Sequence, residues 1–600
     1  MKLKTLFAIV VLMMAGLSTW ATTQNPFARQ SISLNGQWSY IIDPYENGFY
    51  NYRRQAFDQS DSGAGGYYDN KVPAHPNELI EYDFEHAAVM DVPGDWNSQV
   101  PELEFYEGSV WLFKSFEVSP QTDKVYKLYF GAVNYEAHVY CNGKKVGMHK
   151  GGFTPFEFDV TDLLVDGDNF VVLKVDNTRH QDEVPTVNTD WWNYGGITRD
   201  VLLLDLPKQH VADYVLQLNP QNNREIKGSV TVAGGQAGDK AQVAIPELRI
   251  NKEVTLDKDG KGSYAVAAKK VKYWSPESPK LYEVQVSYGQ DVVQDQIGFR
   301  SIVTAGKDIL LNGKSIFLKG ISIHDENPLI EGRLRSEGDI RMMLQWAKEL
   351  GCNFVRLAHY PHNEKMVRMA EQMGLMVWAE VPVYWTISWE NKETFANAKK
   401  QLTDLIERDI NRAAVMIWSV GNETPVNAPR LQFMGGLVDH VRGLDDTRLV
   451  AAALELETVD GVMSCHDPLA EKIDLISFNE YAGWYSSHAL DKLTDIKFSF
   501  DQDKPVFISE FGAGAQPGYY SADRVRWSEE YQEDLYINQL KMLEQIDGLR
   551  GMTPWILVDF KSPRRPHAVY QNFWNRKGLI SDTGKKKKAF AVLQQYYEGK

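Results

Sequence analysis

The spacing of hydrophobic and polar positions changes once along this chain, near residue 304. Before it, short runs alternate apolar with polar residues and are separated by Gly, Asn, Asp and Pro. Lys127-Leu128-Tyr129-Phe130, Ala137-His138-Val139-Tyr140 and Phe170-Val171-Val172-Leu173-Lys174-Val175 are of this kind. A period of two puts one side of each run in a core and the other in solvent. Asn142-Gly143 between two such runs predicts a hairpin, because both residues tolerate the positive φ that a two-residue turn imposes. Residues 22–205 are therefore expected to form a β-sandwich. Residues 206–303 repeat the texture on a smaller scale, with runs at 228–232 and 281–287; their length and turn spacing predict an immunoglobulin-like sandwich.

After residue 304 strands alternate with helices. Residues 315–324 read as a strand, and Ser336-Glu337-Gly338-Asp339 as a capping box opening a helix that Gly351 stops. Residues 353–359 form the second expected strand, Asn363 caps a helix ending at Gly374, and 375–380 form the third strand. A helix near 394–410 precedes 415–423, and further strands are expected at 449–454, 474–481, 505–510 and 551–560. Eight strands of this kind over about 300 residues have the count and size of a closed parallel barrel.

At 600 residues the chain exceeds one core and calls for two to four domains. A net charge of −16 argues against a nucleic-acid partner, since neutralising phosphates needs clustered Lys and Arg. The basic run 585–588 reads as a solvated terminal face. Sixteen Trp and 29 Tyr fit either large β-rich cores or rings stacked on sugar faces. Cys141, Cys352 and Cys465 show no metal-ligand spacing and are expected as buried free thiols. Lys2 and Lys4 precede an apolar run over 6–17, and Thr19-Trp20-Ala21 offers small residues to a signal peptidase. Residues 1–21 thus read as a secretory signal too short to span a membrane. The mature chain is expected to start near Thr22, in the periplasm or outside the cell.

In such barrels the working residues sit at the C-terminal ends of strands. Polar residues gather there: His324, Arg356 and His359, Glu380, Asn422 and Glu423, Asn479 and Tyr481, Glu510, and Asp559. Two apolar runs, 415–423 and 506–512, each deliver a carboxylate where the run leaves the core. Burying a carboxylate is costly unless it is paired or used. One strand-end Glu is as readily a structural ion pair, whereas two facing one mouth suggest acid–base or nucleophilic chemistry. Two carboxylates across a polar cleft can cleave a glycosidic bond, with retention when they stand close. His324-Asp325-Glu326 and His466-Asp467 have no recognised ligand spacing, so no metal is expected.

Trp418-Ser419-Val420-Gly421-Asn422-Glu423 and Ser509-Glu510-Phe511-Gly512 resemble the acid/base and nucleophile signatures of glycoside hydrolase family 2, the group of β-glucuronidases, β-galactosidases and β-mannosidases. The likeness covers nearly the whole chain after residue 21. It implies an N-terminal jelly-roll β-sandwich that binds sugar, an immunoglobulin-like β-sandwich and, over 304–600, a catalytic (β/α)8 TIM barrel. It also implies Glu423 as general acid/base and Glu510 as nucleophile. A negative neighbour would keep Glu423 protonated for the first step; once Glu510 is esterified, Glu423 can ionise and activate water. Asn422 is expected on the sugar 2-hydroxyl and Tyr481 on Glu510.

Asn575-Arg576-Lys577 resembles the Asn-x-Lys pair with which β-glucuronidases hold the uronic-acid carboxylate, an amide and an ammonium gripping an anion. Tyr481 and Tyr485 resemble two substrate-side tyrosines of those enzymes. Asp190, in a Trp-rich loop, matches an aspartate that the sandwich sends to the sugar hydroxyls; inter-domain packing is the plainer reading of that loop, and compatible with it. His324 and Trp555 complete the expected sugar contacts. The expectation is an exo-acting, retaining hydrolase that removes terminal β-linked glucuronic acid from oligosaccharides or glucuronides, with no cofactor. Self-association into a homo-oligomer is common in the family.

Two departures matter. Some β-glucuronidases carry an arginine four residues before the Asn of Asn-x-Lys, where this chain has Gln571; Arg564 and Arg565 are the nearby candidates to replace it. Segment 381–391 is short and lacks the long loop that some gut glucuronidases fold over small aglycones, which suits the end of an oligosaccharide. The alternatives are the same mechanism on galactose or galacturonic acid and, from another class, a non-catalytic carbohydrate-binding protein, against which the presence of both glutamates speaks.

Overall fold

Period-two alternation builds the first half of the molecule. The structure, a computed structural model, describes residues 22–59, 65–459 and 461–600; the signal expected over 1–21 lies outside the described residues. In the N-terminal domain a four-stranded sheet (Ser31–Ser33, Val201–Pro207, Lys124–Phe130, Phe156–Asp159) faces a six-stranded one centred on Ser109–Val118, Gly167–Asp176 and Glu136–Cys141. Val110, Leu112, Leu128, Val139, Val171 and Leu173 fill the space between them and are wholly buried. Asn142 and Gly143 take φ of 48° and 74° in the predicted hairpin. The next domain pairs a three-stranded sheet with a four-stranded one, the seven-strand immunoglobulin-like arrangement.

The barrel is closed and parallel throughout. Its strands are β1 (Leu318–Ile323), β2 (Phe354–Leu357), β3 (Met376–Glu380), β4 (Val415–Asn422), β5 (Leu449–Leu454), β6 (Ile476–Asn479), β7 (Val506–Glu510) and β8 (Leu549–Met552). Helix α1 (Glu337–Glu349) opens with the predicted capping box: Asp339 N–H donates to Ser336 Oγ at 3.1 Å, and Ser336 N–H to Asp339 Oδ2 at 3.0 Å. Strands such as β4 are buried on both faces, which is why they read as unbroken apolar runs.

The eighth strand differs from expectation. It ends at Met552, and the run to 560 divides because Pro554 has no N–H to continue the ladder. Phe560–Lys561 pairs instead with Trp574–Asn575 in a two-stranded ribbon. Asp559 is consequently absent from the mouth: it is buried beneath the ribbon, bonded by Lys587 Nζ at 2.8 Å and paired with Arg576 at 3.3 Å. All three cysteines are buried and unpaired. No helix among the described residues is long and apolar enough to cross a membrane.

The sandwich docks directly on the mouth. Arg199 pairs with Asp325, just past β1, at 3.1 Å, and Thr186 Oγ1 donates to Thr386 O at 3.1 Å. Loop 186–193 is thereby held over the C-terminal strand ends.

Candidate active site

Arg356, near the end of β2, is fully buried and organises the cleft. A buried cation is tolerated only when its donors are taken. Here Nη1 donates to Glu510 Oε1 (2.8 Å) and Ser509 O (3.0 Å), and Nη2 to Glu380 Oε1 (3.1 Å) and Asn422 Oδ1 (2.8 Å). One guanidinium therefore ties together the ends of β3, β4 and β7. Burial would raise the Glu380 carboxyl, but Arg356, His359 and the Trp378 indole overcome it and bring it to about 2. Glu380 is a fixed anion.

Glu510 is 5% exposed. Beyond Arg356 it accepts from Tyr481 OH at 2.8 Å, and His359 Nε2 stands 3.6 Å away. Burial pushes this carboxyl up; Arg356 pulls it down and Glu423 pushes it up again, leaving it above the usual range. Glu423 follows β4 directly with φ 48°, a left-handed conformation that costs a non-glycine residue about 1–3 kcal/mol. The turn aims its side chain into the mouth. Asn479 Nδ2 donates to Glu423 Oε1 at 2.6 Å and Trp385 Nε1 to Oε2 at 2.7 Å. Trp385 is positioned by the short loop after β3, whose backbone bonds back to Asn422. Asn479 also accepts from Ser509 Oγ at 2.7 Å, so one amide bridges the Glu423 side of the cleft to the strand bearing Glu510.

Among the described residues, Asn422 Nδ2 and His324 Nε2 are buried without a hydrogen-bond partner. His324 Nδ1 lies 3.1 Å from Tyr360 OH, and its ring packs on Phe560 (4.3 Å) and Trp555 (5.2 Å). Burial and the cationic neighbours hold this imidazole well below its usual range, so it is neutral. Trp555 stacks on His359 at 4.8 Å, and Trp191 from the sandwich stands edge-on to Tyr384 at 5.0 Å. These rings form an apolar wall beside the carboxylates.

A second cluster in the cleft carries the cations. The ribbon brings Asn575 and Lys577 to the mouth, where Lys577 Nζ donates to Tyr485 OH at 2.7 Å and lies 5.5 Å from the Tyr481 ring centre. Asp190 accepts from Ser562 Oγ (2.6 Å), Asn575 Nδ2 (3.3 Å) and Arg565 Nε (3.1 Å), and Arg565 Nη2 closes a two-point contact with it. Of the two candidates to replace the arginine missing at Gln571, Arg565 turns into this cluster, whereas Arg564 lies over the Trp385 ring.

The structure brings Glu423, Glu510, Asn422, Tyr481, Tyr485, Asp190, Asn575 and Lys577 into one connected network, with His324 and Trp555 in the wall. From sequence alone Arg356, Glu380 and Asn479 stand out only as polar strand-end residues; Ser562 carries no local signal, and Trp385 is marked only by the aromatic pair Tyr384-Trp385 immediately after a barrel strand. Two carboxylates in a cleft with apolar and cationic walls can perform double displacement on an anionic sugar.

Family models match almost the whole chain: residues 32–207 match the sugar binding domain of glycosyl hydrolases family 2, 205–300 a second model of that family, and 302–599 its TIM barrel domain. A curated relative from Formosa agariphila is 28% identical over 564 residues, which cover 85% of this chain but 66% of the relative. The β-glucuronidase of Streptococcus agalactiae is 28% identical over 574 residues, 86% of this chain and 92% of the relative. Among solved structures, a β-glucuronidase from an uncultured Clostridium sp. superposes with a TM-score of 0.80 at 25% identity, covering 96% of this chain and 98% of that one.

Proposed function

The chain belongs to glycosyl hydrolase family 2, and on that premise we propose that it removes terminal β-linked glucuronic acid with retention. Glu510 attacks the anomeric carbon while Glu423 gives its proton to the glycosidic oxygen, and the aglycone leaves as an alcohol. Glu423, now ionised, takes a proton from water; the water oxygen attacks the same carbon and Glu510 departs as a carboxylate. Arg356 and Tyr481 hold the Glu510 oxygens. Asn422 Nδ2 meets the sugar 2-hydroxyl, Asp190 the hydroxyls across the ring, and Asn575 with Lys577 the uronate.

The observation that carries the uronate part of this assignment is Lys577. It is 4% exposed, and no carboxylate among the described residues stands at ion-pair distance from its ammonium; a phenol takes that place. A buried cation without an anion is costly, and a substrate carboxylate supplies the missing charge. The names of the relatives point the same way. A panel of 4-nitrophenyl β-glycosides tests it. The wild type should favour the glucuronide, and Lys577→Ala should lower kcat/KM on it by about a hundredfold or more while lowering any galactoside activity far less. A wild-type preference for galactoside, or an equal loss on both substrates, would overturn the assignment.

A further inference from the structure

Pro563-Arg564-Arg565-Pro566 caps the mouth with two arginines between two prolines, whose fixed φ limits the loop's freedom. The two guanidinium groups part. Arg565 faces inward and is neutralised by Asp190. Arg564 lies 5.0 Å over the Trp385 ring, and its Nη1 donates to Asn188 Oδ1 at 2.6 Å. No carboxylate among the described residues stands at ion-pair distance from Arg564, although the chain as a whole carries a net charge of −16.

Trp385 says which side of the scissile bond this is. Its indole donates to Glu423 Oε2 at 2.7 Å, and the carboxyl that protonates the glycosidic oxygen stands beside the leaving group. We propose that Arg564, seated on Trp385 and held by Asn188, forms a leaving-group subsite that selects an aglycone sugar bearing an anion, a sulfate ester or a carboxylate. The inference rests on the retaining reading above for the position of the leaving group. The planar guanidinium offers paired donors matched to either anion. Arg564 is solvent-exposed, and the indole and the amide give its guanidinium a seat at the rim of the mouth.

The test uses three disaccharides in which glucuronic acid is β-linked to a neutral sugar, to the same sugar with a sulfate ester beside the linkage, and to its uronic acid. Wild-type kcat/KM should be about tenfold higher for at least one anionic acceptor than for the neutral one, and 0.5 M salt should compress that ratio. Arg564→Gln should bring the ratio to about one, and Arg564→Lys should retain part of it. Which anion is favoured identifies its source. A wild-type ratio near one, or a ratio unchanged in Arg564→Gln, overturns the subsite. Failure of the wild type on every uronide, with turnover of a galactoside, overturns the uronide reading instead; the same neutral and anionic pair built on galactose then tests Arg564 independently.

Discussion

Tyr481 and Arg356 compete with burial for the proton on Glu510. Burial and the nearby Glu423 raise that carboxyl, while Arg356, His359 and the Tyr481 hydroxyl favour its charged form. On the proposed mechanism Glu510 attacks as an anion, so its pKa would set the acidic limb of kcat/KM. Tyr481→Phe removes a hydrogen bond that stabilises the anion, so the limb should move to higher pH, with a loss of about tenfold or more on its acidic side. A limb that stays put, or falls, would show that Tyr481 does not act on Glu510. At this scale the sequence was most legible where chemistry is written locally. Glu423 and Glu510 each end an apolar run in a recognisable motif. Arg356 was visible as a polar strand-end residue, but its role depends on three other strands that no local pattern links to it. Arg565 was undecided against Arg564, because only the path of the loop separates them.

The barrel strands were legible as elements because burial on both faces leaves an apolar run with sharp ends. Their ends were less so: β2 and β6 are shorter than their runs, and β8 stops at Met552 because Pro554 interrupts an otherwise largely apolar run. That stop frees the chain to form the ribbon that presents Asn575 and Lys577. The helices announce themselves through their caps. Ser336 satisfies an N–H at the start of α1 that would otherwise lack a partner. Ser336→Ala should therefore cost about 1 kcal/mol, read as a lower denaturant midpoint with unchanged slope. An unchanged midpoint would mean that water replaces the cap without loss.

At the scale of the whole molecule, the site is completed across domains. The barrel supplies both carboxylates, the sandwich supplies Asp190 and Trp191, and the mouth loops close around them. Alternation foretold the sandwiches and the barrel, but not that Asp190 would meet Ser562 and Arg565, contacts spanning more than 370 residues of sequence. The proposed reaction needs sugar, nucleophile and cationic wall to coincide, and covalent trapping reads all three at once. A 2-deoxy-2-fluoro-β-glucuronosyl fluoride loses fluoride as its anomeric carbon bonds to the attacking carboxylate, and the missing 2-hydroxyl slows hydrolysis of that ester. Peptide mass spectrometry of the inactivated protein should place one uronosyl group on Glu510. A label on Glu423, or labelling by the matching galactosyl fluoride but not by the uronosyl one, would contradict the account.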